Sequence, residues 1–253
     1  MKILVADGVS EKGIEILSKE FECEIRAKLP AEELLATIHE YDGLVVRSAS
    51  KVTKEVIEAA TNLKVIGRAG VGVDNIDIEA ATAKGIIVLN APEGNTIAAT
   101  EHTVAMMLSM ARNIPQAHSS VQNGEWKRNQ FVGVEMRGKT LGVIGLGRIG
   151  SGVAKRAIAF DMKVIGYDPY VNEERAKTMG IEVVSLEEIY ANADFISVHM
   201  PLTAQTKDLI NSETISKMKD GVYLVNCARG GIINEADLSE AVKAGKVAGA
   251  AID

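Results

Sequence analysis

Short apolar runs alternate with amphipathic stretches along almost the whole of this chain. The runs at 2–6, 22–26, 43–47, 63–68 and 86–90 have the length and spacing of strands. Between them, apolar residues recur at helical spacing over 10–19, 31–39, 53–60 and 76–83. Ser10 stands where an N-cap belongs, ahead of Ile14, Ile16 and Leu17, and Pro30 precedes the second helix. Strand and helix in strict alternation predict a parallel sheet with helices on both faces.

The pattern breaks at Ala91, Pro92, Glu93, Gly94 and Asn95. Beyond it, 96–111 is so uniformly apolar that it predicts a helix too heavily buried to lie on a surface. The stretch 122–136 is polar, carries Trp126, and is expected to wander over the first domain or a partner chain. A second alternating series then begins, with strands expected at 140–144, 163–167, 182–184, 195–199, 222–226 and 247–252. Residues 1–93 and 94–253 are thus expected to form two doubly wound α/β domains. The final run from Ala248 to Asp253 reads as an interior strand without a helix to cover it, which is the pattern of a truncated chain.

The strand at 140–144 runs straight into Gly145-x-Gly147-x-x-Gly150, and a helical pattern follows with Ile149, Val153, Ala157 and Ile158 on one face. The next strand ends at Asp168, about twenty residues after the glycines. Each part suits a dinucleotide. Gly145 permits a tight turn off the strand, Gly147 lets backbone N–H groups approach a pyrophosphate, and Gly150 permits close helix packing. The helix N-terminus offers unpaired donors and a partial positive charge. The Asp168 carboxylate would accept hydrogen bonds from the ribose diol of NAD and repel the 2′-phosphate of NADP.

Composition narrows the partners. A net charge of −6 and 4% aromatic residues argue against nucleic acid and anionic membranes. No apolar run is long enough to span a bilayer, and Asp7 interrupts the short apolar N-terminus, which is no signal peptide. Cys23 and Cys227 show neither disulfide nor metal-ligand spacing, so no metal is expected. A cytoplasmic protein acting on a small molecule is the expectation.

Several motifs together resemble the D-isomer-specific 2-hydroxyacid dehydrogenases over nearly the whole chain. They are Val45-Val-Arg-Ser48, Gly67-Arg-Ala-Gly-Val-Gly-Val-Asp-Asn75, Asn90-Ala-Pro-Glu-Gly-Asn95, 138–150 with its three glycines, Val198-His-Met-Pro-Leu202 and Val225-Asn-Cys-Ala-Arg-Gly-Gly231. The resemblance implies a flavodoxin-like substrate domain and a Rossmann domain for NAD. It implies cofactor contacts from Val71, Gly145, Gly147, Arg148, Ile149, Gly150, Asp168, Met200, Pro201, Cys227, Ala228, Arg229 and Asp253. It assigns Arg229 the catalytic task of binding the substrate carboxylate and C2 oxygen. A glutamate–histidine pair that completes the family's site has no counterpart within 1–253, which would leave this chain with little activity.

Arg47 and Arg68 each follow a strand of the first domain, and both are expected to face a cleft between domains with Gly70, Val71 and Asn95. Arg128 matches a basic position expected to arrive from a partner subunit. Guanidinium forks suit phosphate oxygens, so the expected substrate is a phosphorylated 2-hydroxy acid. The apolar helix and the 122–136 segment suggest a homodimer or higher homo-oligomer. Two other readings stand beside this one, a reductase of glyoxylate or hydroxypyruvate and a non-catalytic NAD-sensing protein on the same scaffold. Of the four histidines, His39 is expected at the surface and His102 in a core or interface. His118 has no candidate neighbours, and His199 ends a strand at the cofactor crevice as a weak candidate base. Asp161 stands where the family usually has a glycine, in a left-handed cap that aspartate tolerates.

Overall fold

The computed structural model describes residues 1–253 as two compact units, Met1–Asn95 and Thr96–Asp253. The first unit runs β1 (Lys2–Val5), α1 (Glu11–Ser18), β2 (Glu22–Ile25), α2 (Ala31–Thr37), β3 (Gly43–Val46), α3 (Lys54–Ala59), β4 (Val65–Arg68), α4 (Ile78–Ala83) and β5 (Ile87–Asn90). Its strands are all parallel, in the order β2-β1-β3-β4-β5, which is flavodoxin-like. Leu4, Leu34, Ile38, Leu44, Ile57 and Ile66 close its core.

The second unit opens with α5 (Thr96–Ala111) and α6 (Ile114–Gln122). Then follow β6 (Thr140–Ile144), α7 (Arg148–Ala159), β7 (Lys163–Tyr167), α8 (Glu173–Thr178), β8 (Glu182–Val183), α9 (Leu186–Asn192) and β9 (Phe195–Val198). The series ends with α10 (Ser212–Ser216), β10 (Val222–Asn226), α11 (Glu235–Lys243) and β11 (Val247–Ile252). The sheet order β11-β10-β9-β6-β7-β8 reverses direction between β6 and β9. That reversal is the Rossmann switch point, where connections leave to opposite faces and open a crevice at the strand ends.

Several expectations need correction. Helix α5 buries a single stripe, Thr100, Thr103, Val104, Met107 and Ala111, while Ile97 on its other side is 59% exposed. Within this unit it is a surface helix. His102 on it is half-exposed, with Nε2 3.7 Å from an Asp253 oxygen, and is not a core histidine. Helix α6 was not anticipated, and Asn113 in the left-handed region at its N-cap lets it follow α5 almost directly. Strand β11 pairs with β10 within residues 1–253. Asp161 adopts the left-handed conformation as expected, with φ 58°.

Candidate nucleotide site and arginine cluster

The second unit builds a nucleotide cradle at its switch point. Gly145 leaves β6 at φ +99°, and its N–H donates to the Tyr167 carbonyl at 2.7 Å. A Cβ at 145 would lie 2.6 Å from the His199 carbonyl oxygen, so a side chain is excluded by both torsion and space. Gly147 is the N-cap of α7 and makes no side-chain cap, which leaves first-turn N–H groups pointing outward for an anion. A Cβ at 147 would meet nothing within 4 Å, so the ground there is open to a ligand. Gly150 is buried, and a Cβ on it would overlap the Gly145 carbonyl oxygen.

Asp168 does more than offer oxygens to a ribose. Its Oδ2 accepts from Leu146 N at 2.9 Å and its Oδ1 from Tyr170 N at 2.8 Å, so the carboxylate pins the glycine turn to the end of β7. Each oxygen retains a lone pair for a diol. The cradle opens on a cavity of about 500 Å³ lined in part by Gly145, Gly147, Asp168, His199, Pro201 and Thr206. These residues fit a dinucleotide: a side-chain-free approach, an uncapped helix of twelve residues, and an acid at the ribose end.

At the ends of β10 and β11 the chain makes a second shaped edge. Buried Asn226 accepts from Ala228 N at 3.0 Å and donates to the Arg229 carbonyl at 2.9 Å, which bends the backbone so that Cys227, Ala228 and Arg229 follow the strand in a fixed turn. The Arg229 guanidinium donates to the Ala228 carbonyl at 2.7 Å. Asp253 N donates to the Asn226 carbonyl, which sets Asp253 beside that turn. Burial pushes the Cys227 thiol up, and the Asp253 carboxylate adds to this against a hydrogen bond with Thr103. Asn226 escaped the sequence reading, although an asparagine ending an apolar strand is the available signal for such a turn.

His199 is no base. Burial pulls its imidazole down to about 4, and its Nε2 lies 2.8 Å from Ser197 Oγ. Met200 and Pro201 continue from it along the cavity wall.

In the first unit Asp7, Arg47 and Arg68 all lie at the C-terminal ends of strands. Asp7, after β1, is 3% exposed and accepts from Arg47 N at 2.6 Å, Ser50 N at 3.1 Å and Ser50 Oγ at 2.8 Å. It therefore shapes the loop that carries Arg47, whose guanidinium donates to the Gly8 carbonyl. That role was signalled only by an acid breaking an apolar run. Arg68 ends β4, and its guanidinium occupies the space a Cβ at Gly70 would need. Its Nε is buried without a hydrogen-bond partner. Asn90 Nδ2 donates to the Val71 carbonyl, which braces the loop between β4 and α4. Asn95 closes this unit in an exposed position. Arg128 lies on the exposed turn Arg128–Gln130 of the second unit, next to Trp126 and Lys127, away from the residues of the nucleotide cavity. No group of three or more His, Cys, Asp or Glu could hold a metal ion.

Among known proteins, residues 104–253 match the family described as "D-isomer specific 2-hydroxyacid dehydrogenase, NAD binding domain". The whole chain is 55% identical to a D-3-phosphoglycerate dehydrogenase of Archaeoglobus fulgidus and 54% identical to one of Bacillus subtilis, covering 48% of each. It thus spans about half the length of the curated relatives it matches. Among solved structures it is similar to the TT0316 protein of Thermus thermophilus, at 35% identity and TM-score 0.91, over 100% of this chain and 81% of that one. It is also similar to a D-lactate dehydrogenase of Aquifex aeolicus complexed with NAD and lactic acid, at 34% identity and TM-score 0.88, over 100% of this chain and 76% of that one.

Proposed function

The chain belongs to the D-isomer-specific 2-hydroxyacid dehydrogenase family, and from that premise we propose that it serves hydride transfer between C2 of 3-phosphoglycerate and NAD, the step that opens L-serine biosynthesis. The observation that carries the substrate is the pair of arginines at neighbouring strand ends, Arg47 and Arg68. Two guanidinium forks side by side suit the oxygens of a phosphate. A reductase of glyoxylate or another unphosphorylated acid has less use for both cations.

In this reading NAD, when bound, takes the hydride from C2. The chain's own residues do the positioning. The α7 N-terminus and the glycine turn receive the pyrophosphate, and Asp168 holds the ribose diol. Cys227 and Asp253 border the nicotinamide end. Arg229 pairs with the substrate carboxylate and draws charge toward the C2 oxygen, while Arg47 and Arg68 hold the phosphate, with Gly70, Val71 and Asn95 around it. None of the histidines of this chain is assigned the proton, and His199 in particular is held neutral by burial.

The same reading makes the protein a cytoplasmic homo-oligomer. No helix is long and apolar enough to cross a membrane. Trp126, 82% exposed, and Val132, 78% exposed, leave apolar surface on the segment that carries Arg128, as a subunit contact requires.

Calorimetry with 3-phosphoglycerate and with glycerate, in the presence of NADH, tests the assignment. A charge-assisted hydrogen bond contributes ~1.5–3 kcal/mol, so Arg47→Ala or Arg68→Ala should weaken the phosphorylated ligand roughly 10- to 100-fold and glycerate far less. Equal weakening of both ligands would sink the phosphate reading.

A further inference from the structure

The Ser197–His199 pair has no role in the scheme above, yet it sits at the switch point. Both residues come from one strand end, and β9 lies directly against β6. The His199 backbone is clamped there, its N–H donating to the Ile144 carbonyl at 2.7 Å while its own carbonyl abuts the Gly145 turn. The imidazole has little freedom, because Nε2 is held by Ser197 Oγ at 2.8 Å and Ser197 is fully buried.

Proton counting fixes the tautomer. A serine hydroxyl always carries a proton, and the only partner of this one is His199 Nε2. If Nε2 carried the ring proton and donated it to Ser197, the hydroxyl proton would be buried with no acceptor, an arrangement native interiors avoid. The hydroxyl therefore donates to Nε2, and the single ring proton resides on Nδ1. Nδ1 has no partner within the chain. The buried side-chain polar atoms without a partner are Arg68 Nε and Tyr190 Oη, so Nδ1 is not sealed in the interior. His199 lines the 500 Å³ cavity together with Gly145, Gly147 and Asp168.

We propose that Ser197 locks His199 as the Nδ1–H tautomer, so that the imidazole presents a fixed, uncharged donor to an acceptor oxygen of the dinucleotide. His199 is then a cofactor-binding residue, and Ser197 is the positioning residue that acts through it. The depressed imidazole pKa agrees with this, since it keeps the donor neutral at working pH. This inference rests on the dinucleotide reading of the cavity and adds a contact that the glycine motif does not imply.

Two measurements test it. Long-range ¹H–¹⁵N correlation spectra of the unmodified chain should report His199 protonated on Nδ1, and a spectrum showing the proton on Nε2 would overturn the proposal without any variant. NADH titration then compares His199→Asn, whose amide donor lies near the Nδ1 position, with His199→Gln, whose amide lies nearer Nε2. The asparagine variant should bind NADH within about threefold of the unmodified chain and the glutamine variant about three- to tenfold more weakly, the range of one neutral hydrogen bond. Ser197→Ala should weaken binding a fewfold and mix the two tautomers. Identical affinities for the asparagine and glutamine variants, both folded by circular dichroism, would refute the contact. If the unmodified chain fails to bind NADH at all, the dinucleotide reading fails instead, and the spectra still decide the tautomer.

Discussion

Replacing Gly150 with alanine adds one methyl group at the tightest point of the cradle. That methyl would overlap the Gly145 carbonyl oxygen and lie 3.1 Å from its carbonyl carbon and 3.2 Å from Val143 Cγ1. Two of these neighbours are backbone, so no side chain can swing aside, and α7 must back away from the turn by about 1 Å to restore ordinary contact. Forcing a methyl into a packed site costs about 1–3 kcal/mol. For a unit of this size that lowers the melting temperature by roughly 2–12 °C. Gly147→Ala provides the control, because a Cβ there meets nothing within 4 Å and φ is −64°. Its fold should lose at most about 1 kcal/mol, as an N-cap glycine gives way to a poorer cap. Its affinity for NADH should nevertheless collapse, since the methyl occupies the approach to the pyrophosphate. Thermal unfolding and NADH titration of both variants separate the two effects. A Gly150→Ala protein that melts with the unmodified chain, or a Gly147→Ala protein that binds NADH normally, would refute the reasoning.

Asp168→Ala should narrow the preference for NADH over NADPH by about tenfold, because a charge facing the 2′-phosphate is gone. It should also weaken NADH itself, since Leu146 N and Tyr170 N lose their shared acceptor; an unchanged ratio of the two dissociation constants would count against the ribose contact. Acid stability reports on His199, whose neutral form is favoured by burial. Its contribution is complete above the unfolded value of 6.5 and is lost as pH falls toward about 4, where the folded imidazole also takes a proton. The loss is at most about 3 kcal/mol. Urea melts at pH 7 and pH 4.5 should show a larger drop for the unmodified chain than for His199→Asn, and parallel drops would contradict it.

What could be read from the residues was whatever is decided locally. The β6–α7–β7 unit follows from three glycines, a helical stripe and one acid, all within thirty residues, and its strand bounds emerge as expected. Helix α6 carries Pro115 in its first turn, where the missing N–H costs nothing, and such a proline marks a helix start only once the chain around it is known to be helical. The open face of α5 was not legible for another reason. Ala98, Ala99, Ala105 and Met106 are apolar or small on every side, and composition alone does not say which side finds a neighbour. The second task of Asp168, the bend made by Asn226 and the loop shaped by Asp7 depend on which backbone donors arrive nearby. Sequence spacing carries no information about that.

Helix α5 also sets the order in which the molecule can be made. The sheet of the first unit draws only on residues up to Asn90, so it can close while the rest is still being synthesised. The second unit has no such freedom. Its first helix packs on α7, β10 and β11, and Met110 meets the backbone at Gly249, well over a hundred residues further on. A nascent chain halted before β10 would therefore carry a helix whose stripe of Thr103, Val104, Met107 and Ala111 has lost part of its cover. Vectorial synthesis thus separates a first sheet whose strands emerge together from a helix that must wait for β10 and β11, which makes the interval between them the window in which chaperones have something to hold.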